Sequence, residues 1–310
     1  MADALDVLIV GGGVAGYTAG LFAARDRLRA RLLEKFSAGG QVLNCEHITN
    51  FPGFPQGVAG YTLGPLLQEQ STAAGLEVAM NEVTAVRRDG NLFLVESDAG
   101  IQAARAVIVA TGSRFTALGV PGEEQFLGRG ISHCASCDGS FFMQKPVVVV
   151  GGGDAAVDEA LHLTQYASSV TIVHRRDRLR ACASLEERAR RERKIAFRWN
   201  TMVRAIEGGD GVERVQVADA ASGRTATLEA AGVFIYAGLT PNSELVAGLA
   251  PLDARGQIVT DLRMRTRVPG LLAAGDVRAE SARQLVASAG DGATAALAAV
   301  EYLRGGGWPA

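Results

Sequence analysis

Two cysteines, Cys134 and Cys137, stand close together near the middle of the chain, with two residues between them. This C-x-x-C spacing allows a small disulfide loop to close, and it often lowers the pKa of one of the thiols. Asp138 follows directly, where it could exchange a proton as thiolates form and react. The alternative interpretation of Asp138 is that it caps the turn or a following helix. The sequence therefore predicts a reversible dithiol–disulfide pair with an adjacent acid.

Zinc binding is the main competing interpretation of the C-x-x-C pair, because structural zinc sites often use paired cysteines. Such a site needs four ligands, but the other two of the four cysteines, Cys45 and Cys182, are isolated in the sequence. No histidine has a spacing that completes a convincing site. His133 adjoins Cys134 and would stabilise a thiolate if it were protonated, or it is an exposed bystander. We therefore predict redox chemistry and no metal.

A glycine-rich turn follows the first apolar run of the chain. Gly11, Gly13 and Gly16 form the pattern G-x-G-x-x-G directly after Val7 to Val10. This spacing permits a tight turn, close approach of a pyrophosphate, and close packing of a helix that offers its free amides to the phosphate. Glu34 ends the next apolar stretch, where a carboxylate can bind an adenosine ribose hydroxyl. The alternative for Glu34 is a solvated loop residue.

The same pattern recurs later in the chain, but there it ends in basic residues. The residues that carry it are Gly151, Gly153, Ala156, His174, Arg175 and Arg176. Two arginines now occupy the place of the acid, and a guanidinium suits a 2′-phosphate by charge and by bidentate geometry. NADPH is therefore favoured over NADH. We interpret only the segment from Arg188 to Lys194 as a solvated basic helix, and we predict no nucleic-acid binding.

The organisation of the chain indicates an α/β fold. Continuous β-branched runs such as Val147 to Val150 are typical of strands buried on both faces, as in parallel sheets covered by helices. A length of 310 residues favours two compact units. Stretches rich in Pro and Gly at Leu118 to Gly122 and near Pro241 predict two linkers. We therefore expect two Rossmann-like nucleotide-binding domains, with residues 119–243 inserted between 1–118 and 244–310.

Composition and charge exclude several classes of function. A net charge of -2 and a pI near 6.1 give no general attraction to nucleic acid or anionic lipid. No segment reaches the roughly 18 apolar residues of a membrane span. The N-terminal residues lack the basic region and apolar core of a signal peptide. We expect a cytoplasmic protein without membrane association.

Taken in order, the motifs resemble those of the low-molecular-weight, bacterial-type thioredoxin reductases over nearly the whole chain. They are GGGVAG, GGQ at Gly39 to Gln41, TNFPG at Thr49 to Gly53, ATG at Ala110 to Gly112, CASCDG at Cys134 to Gly139, GGGDAAVDEA at Gly151 to Ala160, HRRD at His174 to Asp177, and AAGDV with RQ at Ala273 to Gln284. Any one of these motifs could arise by chance, but the ordered set is highly specific.

The resemblance implies two cofactors, each held by one domain. FAD is expected at Gly11, Gly13, Gly16, Glu34, Gly40, Gln41, Asn50, Ala110, Thr111, Gly112, Asp276, Arg283 and Gln284 of the discontinuous domain 1–118 and 244–310. NADPH is expected at Gly151, Gly153, Ala156, His174, Arg175, Arg176 and Arg180 of domain 119–243.

The resemblance also implies a reaction in which a hydride passes from NADPH to the flavin, and the reduced flavin opens a disulfide between Cys134 and Cys137. Cys137 would be the sulfur nearer the flavin, Cys134 the thiol that attacks a partner's disulfide, and Asp138 the proton donor. The expected partner is thioredoxin or a thioredoxin-like protein. Family analogy further implies a homodimer and a rotation of the inserted domain during turnover.

Two alternatives and one departure accompany this hypothesis. A related FAD-dependent dithiol oxidase would pass electrons to oxygen, but Arg175 and Arg176 argue against an enzyme with no use for NADPH. The second alternative is a non-enzymatic flavin-bound redox sensor, which would not need the complete set of cofactor and thiol motifs. Ala155 stands where the family often has Ser or Thr, so a phosphate hydrogen bond worth about 1 kcal/mol is missing and NADPH affinity is expected to be weaker.

Overall fold

A computed structural model describes residues 4–308 of the chain. In chain order its helices and strands are β1 (Leu5–Val10), α1 (Val14–Arg25), β2 (Ala30–Glu34), α2 (Gly60–Ala73), β3 (Glu77–Met80), β4 (Val83–Asp89), β5 (Leu92–Ser97), β6 (Gly100–Val109), β7 (Ser113–Phe115), β8 (Ile131–Ser132), α3 (Ala135–Asp138), β9 (Pro146–Val150), α4 (Asp154–Leu163), β10 (Ser169–Val173), α5 (Ala183–Arg191), β11 (Ile195–Arg198), β12 (Thr201–Gly208), β13 (Val212–Asp219), β14 (Thr225–Glu229), β15 (Gly232–Ile235), β16 (Leu239–Pro241), β17 (Leu271–Ala273) and α6 (Leu285–Leu303). Short 3-10 helices cover Gly40–Asn44, Gly139–Phe142, Glu244–Val246 and Gly275–Val277.

The chain forms two compact units. The first runs up to Arg114 and resumes at Thr240, and the second, Phe115–Leu239, is inserted between those two parts. Both boundaries lie four residues before the boundaries that the sequence predicts, 118/119 and 243/244.

The first boundary is shifted because the stretch from Leu118 to Gly122, which we expected to be a linker, packs on the second unit. The carboxylate of Glu123, which is buried, accepts hydrogen bonds from the backbone N of Leu118 at 2.9 Å and of Gly119 at 2.7 Å. A Cβ on Gly122 would lie 1.9 Å from the carbonyl oxygen of Ile206, so the backbone there packs tightly on β12. These contacts make the stretch part of the second unit.

The first unit is built on a sheet of order β3-β2-β1-β6-β5-β4, with β17 also paired to β6. The strands β3, β2, β1, β6 and β17 are parallel, whereas β4 and β5 add an antiparallel hairpin. Val7 and Ile9 pack into one hydrophobic cluster with residues of α1 and α6. Leu8 and Val10 pack into a second cluster. The unbroken apolar run of β1 therefore reflects burial of both faces.

The second unit repeats this design on a parallel sheet of order β11-β10-β9-β15-β8. Val148 and Val150 of β9 belong to one cluster, and Val147 and Val149 to another. A three-stranded antiparallel sheet, β12-β13-β14, completes the unit. The expected fold, two Rossmann-like units with one inserted into the other, is confirmed.

The helices show no membrane-spanning segment in residues 4–308. None of them is both long and apolar enough to cross a bilayer.

Candidate active site

The two cysteines of the C-x-x-C motif are joined in a disulfide, and their Cα atoms lie 5.4 Å apart. Cys134 precedes the four-residue helix α3, and its Sγ accepts a hydrogen bond from the backbone N of Cys137 at 3.1 Å. Cys134 is only 9% exposed, whereas Cys137 is exposed. The two sulfurs are therefore in the oxidised form of the dithiol–disulfide pair that the sequence predicts.

Two side chains hold the segment around this disulfide, which we call the redox turn (residues 132–138). The hydroxyl of Ser132 accepts from the backbone N of Cys134 at 3.0 Å and lies 3.2 Å from its carbonyl oxygen, to which it donates. The carboxylate of Glu159, on α4, accepts from the backbone N of Ala135 at 2.8 Å. Both side chains are buried, so the turn is held from within the unit.

Asp138 is the last residue of α3 and is half-buried. Its backbone N donates to the carbonyl oxygen of Cys134 at 3.2 Å, which closes one turn of helix around the disulfide. The backbone of the acid that the sequence predicts is thus fixed within the redox turn. Its part in proton transfer stays a prediction.

His133 differs from the exposed bystander that the sequence suggests. The residue is half-buried, its Nδ1 lies 2.8 Å from the carbonyl oxygen of Ile235, and its ring stacks on Phe115. A carbonyl oxygen can only accept, so Nδ1 carries the proton. This contact gives His133 a structural role beside the redox turn.

The second unit also contains a cavity of about 290 Å³ at the carboxyl ends of β9 and β10. The predicted NADPH residues that line it are Gly151, His174, Arg175, Arg176 and Arg180, with Gly152 between them. A Cβ on Gly153, the residue before α4, would meet no atom within 4 Å, so the start of this helix is open. Ala156 is buried against Gly151 and closes the tight turn that the motif predicts.

The charges around this cavity suit an anion. Burial, together with the nearby charges of Arg180, Arg176 and Arg175, lowers the pKa of His174, against an opposing backbone hydrogen bond at Arg178. The ring is therefore neutral at pH 7, and its Nε2 is buried without a hydrogen-bond partner. The buried nitrogen can accept a hydrogen bond from a ribose hydroxyl, and the guanidinium groups of Arg175, Arg176 and Arg180, which line the same cavity, suit a phosphate. The residues present fit NADPH.

The glycine-rich turn of the first unit has the geometry that its spacing predicts. Gly11 adopts a φ of +104°, and a Cβ there would lie 2.5 Å from the carbonyl oxygen of Ala110. A Cβ on Gly16 would lie 1.8 Å from the carbonyl oxygen of Gly11, so α1 packs directly on the turn. Gly13 instead faces open space, because a Cβ there would meet only the carbonyl oxygen of Gly39, at 4.0 Å. A phosphate can approach the backbone at this point.

Glu34 ends β2 beside this turn and is not a solvated loop residue. Its Oε2 accepts from the backbone N of Gly12 at 2.5 Å, and its Oε1 accepts from the backbone N of Phe36 at 2.9 Å. Each carboxylate oxygen can accept a further hydrogen bond. The side chain is therefore oriented and still able to bind a ribose hydroxyl.

Further residues predicted for FAD converge on the same unit. A Cβ on Gly40 would lie 3.4 Å from the Cα of Gly13, which brings the two glycines side by side. The Nδ2 of Asn50 donates to Oε1 of Gln284 at 3.0 Å, although 234 residues separate them. Gln41 donates through its side-chain nitrogen to the carbonyl oxygen of Ser113.

The ATG segment after β6 is held by a residue that the sequence interpretation placed in a linker. Asn242 accepts through its carbonyl oxygen from Oγ1 of Thr111 at 2.6 Å, and its Nδ2 donates to the carbonyl oxygen of Thr111 at 2.9 Å. Its backbone N donates to the carbonyl oxygen of Gly112 at 3.0 Å. These bonds explain why the first unit resumes before Asn242.

Asp276 lies in the short helix that follows β17 and is half-buried. Burial raises the pKa of its carboxyl group, while a hydrogen bond from Ser281 and the charge of Arg283 oppose this shift. Ser281 donates to Oδ1 of Asp276 at 2.9 Å and accepts from the backbone N of Arg283 at 3.2 Å. A half-buried acid beside an open glycine turn in the same unit fits the polar chain of FAD.

Comparison with known proteins identifies the family. The pyridine nucleotide-disulphide oxidoreductase family matches residues 5–293. The thioredoxin reductase of Treponema pallidum (strain Nichols) is 42% identical over 301 residues, which cover 96% of this chain and 97% of the relative. The thioredoxin reductase of Bacillus subtilis (strain 168) is 42% identical over 299 residues, 96% of this chain and 94% of the relative. The crystal structure of Lactococcus lactis thioredoxin reductase matches with a TM-score of 0.95 at 39% identity, covering 97% of this chain and 99% of that one. The chain belongs to the thioredoxin reductase family.

Membership of this family confirms the predicted chemistry. The chain is a flavoprotein disulfide reductase with FAD and NADPH as its cofactors. The competing prediction of a dithiol oxidase is not favoured. The individual cofactor and catalytic residues stay predictions, which the geometry above supports.

Several residues that shape these sites were missed by sequence reasoning. They are Ser132 and Glu159 at the redox turn, Asn242 at the ATG segment, and the ion pair of Arg278 with Asp291. Asp291 also accepts a hydrogen bond from the backbone N of Gly275, the residue before Asp276. Glu159 and Asp291 had a detectable signal, because each is an acid on the apolar face of a helix and each is buried. Such positions are rarely acidic unless the charge has a partner.

Proposed function

We propose that this chain reduces the disulfide of thioredoxin or of a thioredoxin-like protein. The observation that carries the proposal is the Cys134–Cys137 disulfide, which adjoins Asp138 and shares a unit with an arginine-lined nucleotide cavity. Relatives that align over nearly their whole length are named thioredoxin reductase, which supports this choice of partner.

We assign FAD to the first unit and NADPH to the second. When bound, NADPH supplies a hydride and FAD carries its two electrons to the disulfide. In the first unit, Gly13 and Gly40 would receive the pyrophosphate and Glu34 a ribose. In the second, Arg175 and Arg176 would pair with the 2′-phosphate.

The two thiols of the reduced chain act in sequence. The thiolate of Cys134 attacks one sulfur of the partner's disulfide, which forms a mixed disulfide and releases one partner thiolate. The thiolate of Cys137 then attacks Sγ of Cys134, which closes the Cys134–Cys137 disulfide again and releases the second partner thiolate. The thiols of Cys134 and Cys137 release two protons as they become thiolates. Asp138 takes up one of them and donates it to a departing partner thiolate, and water carries the other, so that the partner leaves as a dithiol.

This order of events requires Cys134 to become accessible. In the oxidised chain its side chain is nearly buried while Cys137 is exposed. Opening the S–S bond removes the covalent constraint that holds Sγ of Cys134 inward. We therefore expect the exposure of Cys134 to rise on reduction, and alkylation of the reduced chain should label Cys134 as well as Cys137.

Anaerobic mixing tests the proposed function directly. The FAD-loaded chain is mixed with NADPH while the flavin absorbance is followed, and oxidised thioredoxin is then added. We expect bleaching by NADPH and recovery on addition of thioredoxin. Bleaching without recovery would refute thioredoxin as the partner, and absence of bleaching would refute the assignment of NADPH.

We also propose that the chain forms a homodimer through the first unit. Tyr61 and Leu66 on α2, and Val286 and Leu297 on α6, are large apolar side chains left exposed. Exposed apolar groups on two helices of one unit suit a self-complementary interface. Sedimentation equilibrium should give twice the 32.3 kDa mass of the chain, and a monomer would contradict the proposal.

A cytoplasmic location is proposed on the state of the cysteines. Besides the redox pair, Cys182 is a free thiol and is exposed. Exposed free thiols suit a reducing compartment. Fractionation of cells that make the chain should recover it with cytoplasmic markers, whereas recovery in a secreted fraction would contradict this location.

A further inference from the structure

The redox turn is tied to helix α4 by a buried carboxylate. Glu159 is 8% exposed, and its Oε2 accepts a hydrogen bond of 2.8 Å from the backbone N of Ala135. Ala135 directly follows Cys134 and is the first residue of α3. Burying a carboxylate is costly unless it is hydrogen-bonded, so this contact gives the acid a reason to occupy an apolar helix face.

The contact differs in one respect from the hydrogen bond between Cys137 and Cys134, and it is the bond that ties the redox turn to another helix. The hydrogen bond from the backbone N of Cys137 ends on Sγ of Cys134, an atom whose bonding changes when the disulfide opens. The Glu159–Ala135 bond joins a side chain to a backbone amide and involves no sulfur. It is therefore available in both redox states.

We propose that Glu159 is a positioning residue, which keeps Cys134 and Cys137 at closing distance after the disulfide has been reduced. The Cα atoms of the two cysteines are 5.4 Å apart in the closed turn. If the Ala135 amide were released, the reduced turn would sample other conformations, and the effective concentration of one thiol at the other would fall. The equilibrium constant for disulfide closure would fall about three- to tenfold, which corresponds to the net free energy of one such hydrogen bond.

The consequence for turnover rests on the proposed function, because closure of the disulfide is the step that releases the reduced partner. A slower closure prolongs the mixed disulfide of Cys134 with thioredoxin. The kcat for thioredoxin should fall by a similar factor, whereas the KM for NADPH should not change.

Two substitutions of similar volume distinguish the effect of the oxygen acceptor from the effect of side-chain size. Glu159→Met removes the oxygen acceptors, while Glu159→Gln keeps one of them. Glu187→Met is the matched control, because it removes an exposed carboxylate that pairs with Arg191 in the same unit. Flavin absorbance and thermal unfolding establish that each FAD-loaded variant is folded, and Glu159→Leu replaces Glu159→Met if the latter is insoluble.

The measurement is the redox equilibrium of the pair. Each FAD-loaded variant is equilibrated with mixtures of reduced and oxidised dithiothreitol, its thiols are trapped by alkylation, and the peptide that contains Cys134 and Cys137 is weighed by mass spectrometry. We expect the equilibrium constant for disulfide closure to fall about three- to tenfold in Glu159→Met. It should stay within about twofold of wild type in Glu159→Gln and Glu187→Met.

Two results would overturn the proposal. One is a wild-type equilibrium constant in Glu159→Met, and the other is an equal loss in Glu159→Gln and Glu159→Met. Failure of the wild-type chain to reduce thioredoxin would refute the proposed function alone, because the equilibrium with dithiothreitol needs no protein partner.

Discussion

Replacing Asp291 by Ala should destabilise the first unit by about 3–5 kcal/mol, since it removes one partner of a buried ion pair. Asp291 lies on α6, and its carboxylate pairs in a bidentate manner with Arg278, at 2.6 Å from Nε and 2.8 Å from the second guanidinium nitrogen. The side chains are 15% and 8% exposed for Arg278 and Asp291. The substitution would leave the guanidinium largely buried without its counter-charge.

The effect should extend to FAD, because the same carboxylate holds the segment that carries Asp276. Oδ2 of Asp291 accepts from the backbone N of Gly275 at 3.1 Å, and Gly275 immediately precedes Asp276. Loss of this bond frees the turn that presents Asp276. We therefore expect Asp291→Ala to weaken FAD binding as well as folding.

Urea unfolding of the FAD-loaded chain measures this loss when flavin release is followed by fluorescence. With a slope of about 2–3 kcal/mol per M of urea, a loss of about 3–5 kcal/mol lowers the midpoint by about 1–2.5 M. Asp26→Ala serves as the control, because it removes an ion pair with Arg304, whose side chain is 64% exposed. An exposed pair contributes about 0–1 kcal/mol, so the midpoint of the control should move by less than about 0.5 M.

Equal midpoints for the two variants would refute the reasoning. Such a result would mean that water reaches the guanidinium of Arg278 once its partner is removed. A double variant, Arg278→Met with Asp291→Leu, provides a second check. It removes both charges together, so it should recover much of the lost stability if an unpaired buried charge is the main cost.

Four further outcomes follow from the proposed roles. Cys134→Ser should abolish disulfide reduction but keep FAD binding and flavin bleaching by NADPH, and wild-type turnover of thioredoxin in this variant would contradict the role of Cys134. Asp138→Asn should lower the kcat for thioredoxin by about 10²-fold without changing flavin bleaching in stopped-flow mixing; a kcat within a few-fold of wild type would exclude proton donation as a limiting role. Arg176→Ala should raise the KM for NADPH by about tenfold and leave the KM for NADH unchanged in steady-state assays, whereas an equal rise for both nucleotides would argue against contact with the 2′-phosphate. Burial raises the pKa of Asp276 in the folded chain above its value in the unfolded chain. The FAD-free chain therefore loses stability as the pH rises from the unfolded pKa through the folded pKa, because the buried carboxyl group must then ionise. Asp276→Asn should therefore gain stability over wild type in urea unfolding at pH 7 and lose that advantage near pH 4, and a pH-independent difference would contradict the assignment.

The strands that carry the cofactor motifs could be predicted from the sequence, because strands buried on both faces consist of consecutive apolar residues. The runs Val7 to Val10 and Val147 to Val150 send alternate side chains to two different clusters, so every position must be apolar. Turn glycines were equally predictable, because the backbone at Gly11 needs a positive φ and has no room for a Cβ. These are local requirements, and a single sequence displays them.

The hydrogen-bond partners could not be predicted, because each joins residues far apart in the chain. Asn242 reaches Thr111 across 131 residues, and Asn50 reaches Gln284 across 234. Which side chain satisfies a given backbone group depends on how elements pack, and composition or periodicity does not contain this information. The Pro-Gly stretch at Leu118 failed as a linker for the same reason, since Glu123 ties it back into the second unit.

Helix α4 offers a physical reason why the nucleotide cavity and the redox turn share one unit. Its N-terminus at Gly153 is open beside the arginine-lined cavity, and Glu159, further along the same helix, holds the amide of Ala135. The backbone hydrogen bonds of a helix keep such positions at a constant separation. Any movement of the unit would therefore carry the nucleotide and the disulfide together. Substitutions that bend α4 between Gly153 and Glu159 should therefore impair both half-reactions, whereas Glu159→Met should impair the disulfide half alone.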